Sequence, residues 1–494
     1  MFFGGRTEAF TPYIDMKFNP TDELKYHDVC SLYPYVCAFK LLPTGNPFHI
    51  CGINIEKDRL LNPNHPDPYF GFIRCTVEPN KQCLLGLLPM RCPESGRLEF
   101  PLTTLTGTWG TQELSIAIRN GYKVTAIYEV YHWTSSERSD TALRGYIAFF
   151  MQMKQEAEGW KKLGASSENP TEEEKDYIVE NTYQQSGQLI RIRKEMVIKN
   201  PVKRQMSKLF LNSLWGKFCQ KKQVDSYTVI HSYQQFADLW FDTRNDQKGF
   251  AFRYLGGTSW KVRVRSKVEF TTSNRKYNIF LAAKVTEWAR CILHERMLLI
   301  GPKRILYCDT DSVMFIYPKH LPKLDGAGLG NWIDEYPDET ITRLFAIAPK
   351  FYYLEMENKD HSLLKSKGIQ MTHGNKRLIT AERLGLQLLE LLYPSMTDFG
   401  EHKEFQNYIG VKNMLMGVNS INASLGYGTM LTKYTADKRV RPVFSKRQFV
   451  YHSLNSGVDI KTISNLLTIY RIYTIPHGYN KTVEEVSQLV YSHE

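Results

Sequence analysis

The chain has 494 residues, 42% of them hydrophobic and 13% aromatic, a composition that excludes a disordered polymer, and no uninterrupted apolar run is long enough to cross a bilayer. A net charge of +12 and a pI near 9.0 suit a polyanionic partner or an ordinary basic surface. The nine cysteines are odd in number and form no C-x-x-C pair, so they are read as reduced thiols of an intracellular protein, and the length predicts more than one domain.

In chain order, Phe2 to Glu8 places Gly4-Gly5 between aromatics and Arg6. Paired glycines suit a tight bend or a close approach of backbone to a ligand. Leu24 to Cys30 predicts a strand with Asp28 near its end, and Ser31-Leu32-Tyr33-Pro34 a helix start with Ser as cap and Pro in the first turn. Free N–H groups at such a start suit phosphates, and an Asp just before it suits the cation those phosphates share. Tyr33 is either a core aromatic or a flat wall beneath a sugar. Residues 40–105, rich in Pro, Gly and Cys, predict an irregular insertion with strand-like runs at Tyr69 to Ile73 and Cys83 to Leu88. Gln112 to Gly121 has helical spacing and a Gly stop, and Lys123 to Trp133 is β-rich.

Ala142 to about Trp160 is helical in pattern, and an acidic segment, Thr171 to Lys175, joins it to a second helical region, so the pair predicts an α-hairpin. The second limb, 191–222, holds ten Lys or Arg against the single acid Glu195. At about 100° per residue, Arg204, Lys208, Asn212 and Trp215 share one stripe, with Met206, Leu209, Phe210, Ser213 and Leu214 opposite. The expectation is one buried apolar face and one cationic face that is either solvated or binds anions. Residues 223–275 predict a small β insertion. Asn278 to Leu299 predicts a helix whose face of Ala282, Ala283, Val285, Ala289 and Ile292 lies beneath the segment that follows.

That segment is Tyr307-Cys308-Asp309-Thr310-Asp311-Ser312, set between two strand-like runs, with two acids at a hairpin tip. Such charges repel unless a cation lies between them, so the tip is a metal site or a polar turn that contains Asp twice. Gly326, Gly328 and Gly330 lack the context of a dinucleotide site and predict a turn. Lys350, within Pro349 to Tyr353, and Lys365 and Lys367 are cations interleaved with aromatics, suited to a nucleic-acid backbone or to a strand surface. The last stretch is basic near Lys438 to Arg441 and Ser445 to Arg447 and holds no evident catalytic group.

Together these stretches resemble the polymerase motifs of the family B DNA polymerases: DVCSLYP, KLFLNSLWGKF and YCDTDS, in that order. Phe2 to Glu8 resembles the Gly-Gly motif, and Lys350-Phe351-Tyr352 the K-x-Y motif, of the protein-primed branch found in viruses, linear plasmids and self-synthesising transposons. The resemblance implies an α+β right-hand fold with an antiparallel-sheet palm, helical-hairpin fingers and a C-terminal thumb. Its expected division is palm 1–135 with an insertion near 40–105, fingers 136–222, palm 223–372 with a β insertion near 223–275, and thumb 373–494.

The function implied is template-directed DNA synthesis by two-metal phosphoryl transfer to a primer 3′-hydroxyl. Asp28 and Asp311 would bridge two Mg²⁺ ions, for which Mn²⁺ substitutes, with the Val29 carbonyl as a further ligand and Asp309 in catalytic support. Lys208, Arg204 and the Ser31, Leu32 and Tyr33 amides would hold the triphosphate. Tyr33 would also crowd a 2′-hydroxyl, and Asn212, Trp215 and Gly216 would line the nascent base pair. Gly4, Gly5, Arg6, Thr310, Lys350, Tyr352, Lys365 and Lys367 would meet primer and template. Implied partners are primer-template DNA, a deoxynucleoside triphosphate, a terminal-protein primer and a separate exonuclease-bearing segment, without a membrane. Trp215 and Phe2 stand where relatives carry Tyr. In that branch an exonuclease precedes the residue corresponding to Met1, so this chain is expected to lack proofreading. Two other expectations compete: a reverse transcriptase or RNA polymerase, disfavoured by the D-T-D-S order, and a catalytically silent DNA-binding remnant.

Overall fold

A computed structural model describes residues 2–220, 226–242, 248–266, 277–326 and 328–367, with shorter stretches at 369, 379–381, 384–385, 388, 410–419, 430–439, 446–450 and 471–479. Most of the expected 373–494 unit, Lys221, Lys222 and Gly368 lie outside the described residues.

The chain is built on a mainly antiparallel sheet whose strands come from distant parts of the sequence. Its order is Thr7–Ala9, Ile305–Asp309, Ser312–Pro318, Asp22–Val29, Ile341–Ala348, Tyr13–Asp15, Arg471–Pro476 and Arg447–Val450. Phe351–Met356 and Leu363–Ser366 extend it from Ile341–Ala348, and Trp332–Asp334 pairs with Asp22–Val29. The central strand Ser312–Pro318 alternates cleanly: Val313 and Phe315 enter one apolar cluster, and Met314 and Ile316 enter another on the opposite face. Both faces are covered, which is why this hairpin reads as a continuous apolar run interrupted only by its polar tip, Asp309 to Ser312.

One covering layer is the helix Ile279–Ile300. Its Leu293, Met297 and Ile300 pack with Cys308, Val313 and Phe315. The small-residue face expected beneath the hairpin points elsewhere: Val285 and Ala289 join Leu211 and the helix Leu32–Phe39 in a separate cluster. This helix also buries charge. Arg290 binds Glu113 at 2.5 and 2.9 Å and the Phe3 and Gly4 carbonyls, so it pins the N-terminal segment against the core.

Residues 40–105 are more ordered than their composition suggests. Gly71–Glu78 is an inner strand of a second sheet, ordered Phe48–Cys51, Lys123–His132, Gly71–Glu78, Leu105–Gly110. Of the two strand-like runs the first begins this strand. Cys83 to Leu88 forms no strand; Leu84, Leu85, Leu87 and Leu88 are buried as irregular chain, with the Leu87 amide donating to the Tyr122 hydroxyl. Burial there outweighs strand propensity. The helix after Trp109 and the strand after Gly121 form as expected.

The helical region holds three helices, Arg144–Glu156, Glu172–Gln185 and Pro201–Phe218, so the simple hairpin is corrected. The expected acidic connector is a helix start: Thr171 caps the Glu174 amide, and Glu172, Glu173 and Glu174 occupy the first turn, where the helix dipole favours negative charge. The expected buried face of Pro201–Phe218 is also corrected. Ser207 and Leu211 are buried, whereas Met206, Leu209 and Phe210 are 51%, 62% and 39% exposed. The helix contributes Leu211, with Leu214 and Trp215 at its edge, to the cluster built by Arg144–Glu156 and Leu32–Phe39, which turns the Met206 side outward. The β insertion is a three-stranded sheet, ordered Ser226–Ile230, Ser259–Ser266, Lys248–Gly256, covered by the helix Tyr233–Phe241.

Candidate active site

The two acidic stretches meet at the centre of the main sheet. Asp28 pairs in register with Ser312 on one side and Ile333 on the other, and the Val29 amide donates to the Asp311 carbonyl at 2.7 Å. Burial and repulsion from Asp311, with a further push from Glu335, raise the Asp28 carboxyl to about 8; Lys208 acts in the opposite sense. Burial also raises Asp311 to about 6, aided by Asp309 and Glu335 and opposed by Lys350. The site thus holds carboxylates that resist ionising together.

The turn between them is strained. The Asp311 amide reaches back to the Asp309 carbonyl at 2.7 Å, closing a γ-turn around Thr310, whose φ is 63°. A β-branched residue seldom adopts this conformation. It is fixed by its surroundings: the Thr310 amide donates to the Arg6 carbonyl at 2.7 Å, and the Thr310 side chain fills the space where a Gly5 Cβ would stand, 2.6 Å away. Gly5 therefore admits Thr310, while a Cβ at Gly4 would meet open space. Among the described non-glycine residues with positive φ, Ser31, Thr310 and Lys350 all border this site.

Asp309 is clasped from two sides. Thr7, its register partner, donates Oγ1 to Oδ1 at 2.8 Å, and Lys350 Nζ lies 2.7 and 3.0 Å from the two carboxylate oxygens. Asp309 is therefore already charge-matched, unlike Asp28 and Asp311.

Beyond Asp28 the chain turns into Leu32–Phe39. Ser31 is its N-cap residue but makes no side-chain cap; it is left-handed at φ 56°, and its carbonyl accepts the Tyr35 amide. The neighbouring Cys30 has both backbone groups tied to the Asn331 and Gly330 turn, so the reversal falls on Ser31. That turn is where the three-glycine run belongs, and Gly330 cannot carry a side chain: φ is 79° and a Cβ would lie 2.3 Å from the Tyr35 ring. Tyr33 stacks on Trp215 with ring centroids 4.9 Å apart and an interplanar angle of 23°, so the substituted aromatic closes against the first motif.

The basic stretch is divided by its partners. Arg193 and Lys203 pair with buried Glu156, Lys194 with Asp176, and Arg204 with Glu158 at 2.6 Å. Lys208 and Asn212 are exposed, and Trp215 and Gly216 are partly so. Three expected contacts need correction or qualification. Arg6 is fully buried, held by Glu8 at 2.6 and 3.0 Å and by the Gly86 carbonyl, so it braces the core instead of meeting DNA. Tyr352 is 5% exposed, its hydroxyl 3.1 Å from that of Tyr26. Tyr352 lies within the strand Phe351–Met356, whereas Lys350 belongs to the turn before it. Arg204 has its Nε committed to Glu158. Lys365 and Lys367 are exposed. Thr7, Glu158 and Glu335 were not singled out from sequence, because isolated polar residues carry no local signal of where the sheet will bring them.

Residues 1–166 match the family model of DNA polymerase type B, organellar and viral. Over this first third of its length the chain is similar to that family. A probable DNA polymerase of Podospora anserina is 25% identical over 383 residues, covering 75% of this chain and 28% of that relative. A probable DNA polymerase of Neurospora intermedia is 23% identical over 357 residues, with 71% and 30% covered. The chain thus spans less than a third of the length of these relatives. Phi29 DNA polymerase complexed with primer-template DNA and incoming nucleotide has a similar fold, with a TM-score of 0.53 at 17% identity, covering 88% of this chain and 61% of the other.

The donor chemistry suits a divalent cation. Asp28 and Asp311 offer hard oxygen ligands, and their raised pKa values reflect charge that a bound cation would neutralise. Among the described residues no group of three or more His, Cys, Asp or Glu is placed to hold a metal ion by itself.

Proposed function

We propose that this chain is a template-directed DNA polymerase that adds deoxynucleotides to a primer 3′-hydroxyl, of the protein-primed replicative kind. The observation that carries the reading is the adjacency of Asp28 and Asp311, both driven toward protonation by burial and repulsion, near a helix whose Lys208 charge reaches Asp28. Asp28 and Asp311 would hold two Mg²⁺ ions, which supply Lewis acidity for in-line phosphoryl transfer. The remaining work belongs to the protein. Lys208, and the Leu32 and Tyr33 amides at the helix start, attract the triphosphate. Tyr33 and Trp215 wall the sugar and base. Lys350 holds Asp309 and faces the primer side with Lys365 and Lys367.

In this reading the main sheet is the palm, drawn from 1–135 and 223–372 and joined by the strands Arg447–Val450 and Arg471–Pro476; the three helices are the fingers, 136–222; and the rest of 373–494 belongs to the thumb. Primer extension with Mg²⁺ and dNTPs tests it. Wild type should extend, and Asp311→Ala should lose about a thousandfold or more in rate. Equal extension by both proteins refutes the assignment of Asp311, and no extension by wild type favours a DNA-binding remnant.

A further inference from the structure

The contacts of the C-terminal strands single out a residue that no motif identifies. Lys446 lies 439 positions from Thr7, yet its Nζ donates to the Thr7 carbonyl at 3.1 Å. Thr7 is the residue whose hydroxyl holds Asp309. The next residue on each side of this contact forms an ion pair: Arg447 Nη1 lies 3.7 Å from Glu8, which also binds Arg6. Arg447 is in turn fixed by Thr474, donating from Nε to Oγ1 and from Nη2 to the carbonyl, each at 2.8 Å, and by the Phe10 ring at 4.3 Å. Arg447, Glu8, Arg6 and Thr474 are 4%, 2%, 0% and 0% exposed.

Two buried arginines around one glutamate are a costly way to join strands, and Arg447 Nη1 has no hydrogen-bond partner among the described residues. Apolar packing would join the same strands with less desolvation. What apolar packing would not do is fix the longitudinal position of a three-residue edge strand. Among the described residues Thr7–Ala9 has only Ile305–Asp309 as its ladder partner, and any slip of it moves Thr7 Oγ1 relative to Asp309.

We propose that Lys446, backed by Arg447, is a positioning residue for the acidic turn. It latches the Thr7 strand so that Thr7 and Lys350 hold Asp309 in one orientation and Thr310 stays in its strained γ-turn. Its catalytic consequence rests on the polymerase reading; the latch itself does not.

The test uses the full chain with Lys446→Met, Lys446→Arg, Thr7→Val and the Lys446→Met/Thr7→Val double variant. Amide hydrogen exchange reads the latch without any activity. In Lys446→Met the Thr310 and Asp311 amides should exchange about tenfold faster while those of Ile73 and Val77 in the second sheet stay unchanged, and Lys446→Arg should restore protection. A change at neither place, or an equal rise at both, overturns the proposal, since a merely structural residue would loosen the whole fold. If wild type extends primers, Lys446→Met should lower kcat about tenfold at unchanged KM for dNTP, and the double variant should be no slower than Thr7→Val alone. Additive losses would show separate roles and also overturn it. A wild type that fails to extend counts against the polymerase reading, and the exchange result still decides the latch.

Discussion

The backbone amide of Val29 donates to the carbonyl of Asp311 at 2.7 Å, which sets Asp28, one residue earlier, beside Asp311 across the strand pair. A single ladder contact thus brings together acids that are far apart in sequence, and it does so in the interior, where their charges are poorly solvated.

The first consequence is a pH-dependent stability. Asp28 and Asp311 titrate at about 8 and about 6 in the fold against 3.8 in the unfolded chain, so the folded state binds more protons between these limits. Their contribution is fully present below pH 3.8 and is lost as pH rises through 6 and then 8. His27, lowered to about 4 by burial and by Arg296, acts in the opposite sense, but only up to its ordinary value of 6.5. Between pH 6.5 and 8.5 the metal-free protein should therefore lose about one degree of Tm, on the order of 1 kcal/mol after allowance for solvent screening. Scanning calorimetry in a chelator checks this. Asp28→Asn should flatten the decline, and Mg²⁺ should oppose it by favouring the ionised pair.

Lys208 and Arg204 should separate in kinetics despite sharing a helix stripe. Lys208→Ala should raise KM for dNTP about tenfold or more with little change in duplex affinity, the loss expected for one charge-assisted phosphate contact. Arg204→Ala leaves Glu158, 12% exposed, without its partner at 2.6 Å. Its main effect should be a fall in Tm, with a smaller change in KM. Steady-state extension and thermal melts on both variants distinguish the two roles.

The Tyr33–Trp215 stack should be sensitive to shape more than to chemistry. Trp215→Ala removes the partner at 4.9 Å and should weaken nucleotide binding about three- to tenfold, the worth of roughly 1 kcal/mol of ring contact. Trp215→Tyr should retain most of it. Tyr33→Ala should increase ribonucleotide incorporation, measured by competition of ribo- and deoxynucleotides in the same extension reaction.

Gly330→Ala should destabilise the fold by about 2–4 kcal/mol, since it combines an unfavourable φ with overpacking against Tyr35. Tyr35→Ala in the same chain should recover the steric part and leave the backbone part. Urea unfolding of the single and double variants gives both terms. Complete recovery would show that backbone strain contributes nothing.

The acids at 28, 309 and 311, the strands that carry them, the helix after Trp109 and the cationic helix were legible in the sequence, because each rests on local periodicity or on a short motif whose residues act close together. The γ-turn was not, since its geometry is imposed on Thr310 by Arg6 and by the space at Gly5, some 300 residues away in the chain. The fate of the charges was equally hidden. Arg6 and Tyr352 look outward by composition and lie inside, and Arg204 shares a stripe with Lys208 but is claimed by Glu158. Charge counts how many cations a segment carries; only packing decides which are desolvated, which are matched and which remain for a ligand. The sequence by itself therefore determined which chemical groups this protein possesses and where its regular elements run. The tertiary structure decided their partners, because pairing and solvent exclusion depend on which distant strands come to lie 5 Å apart.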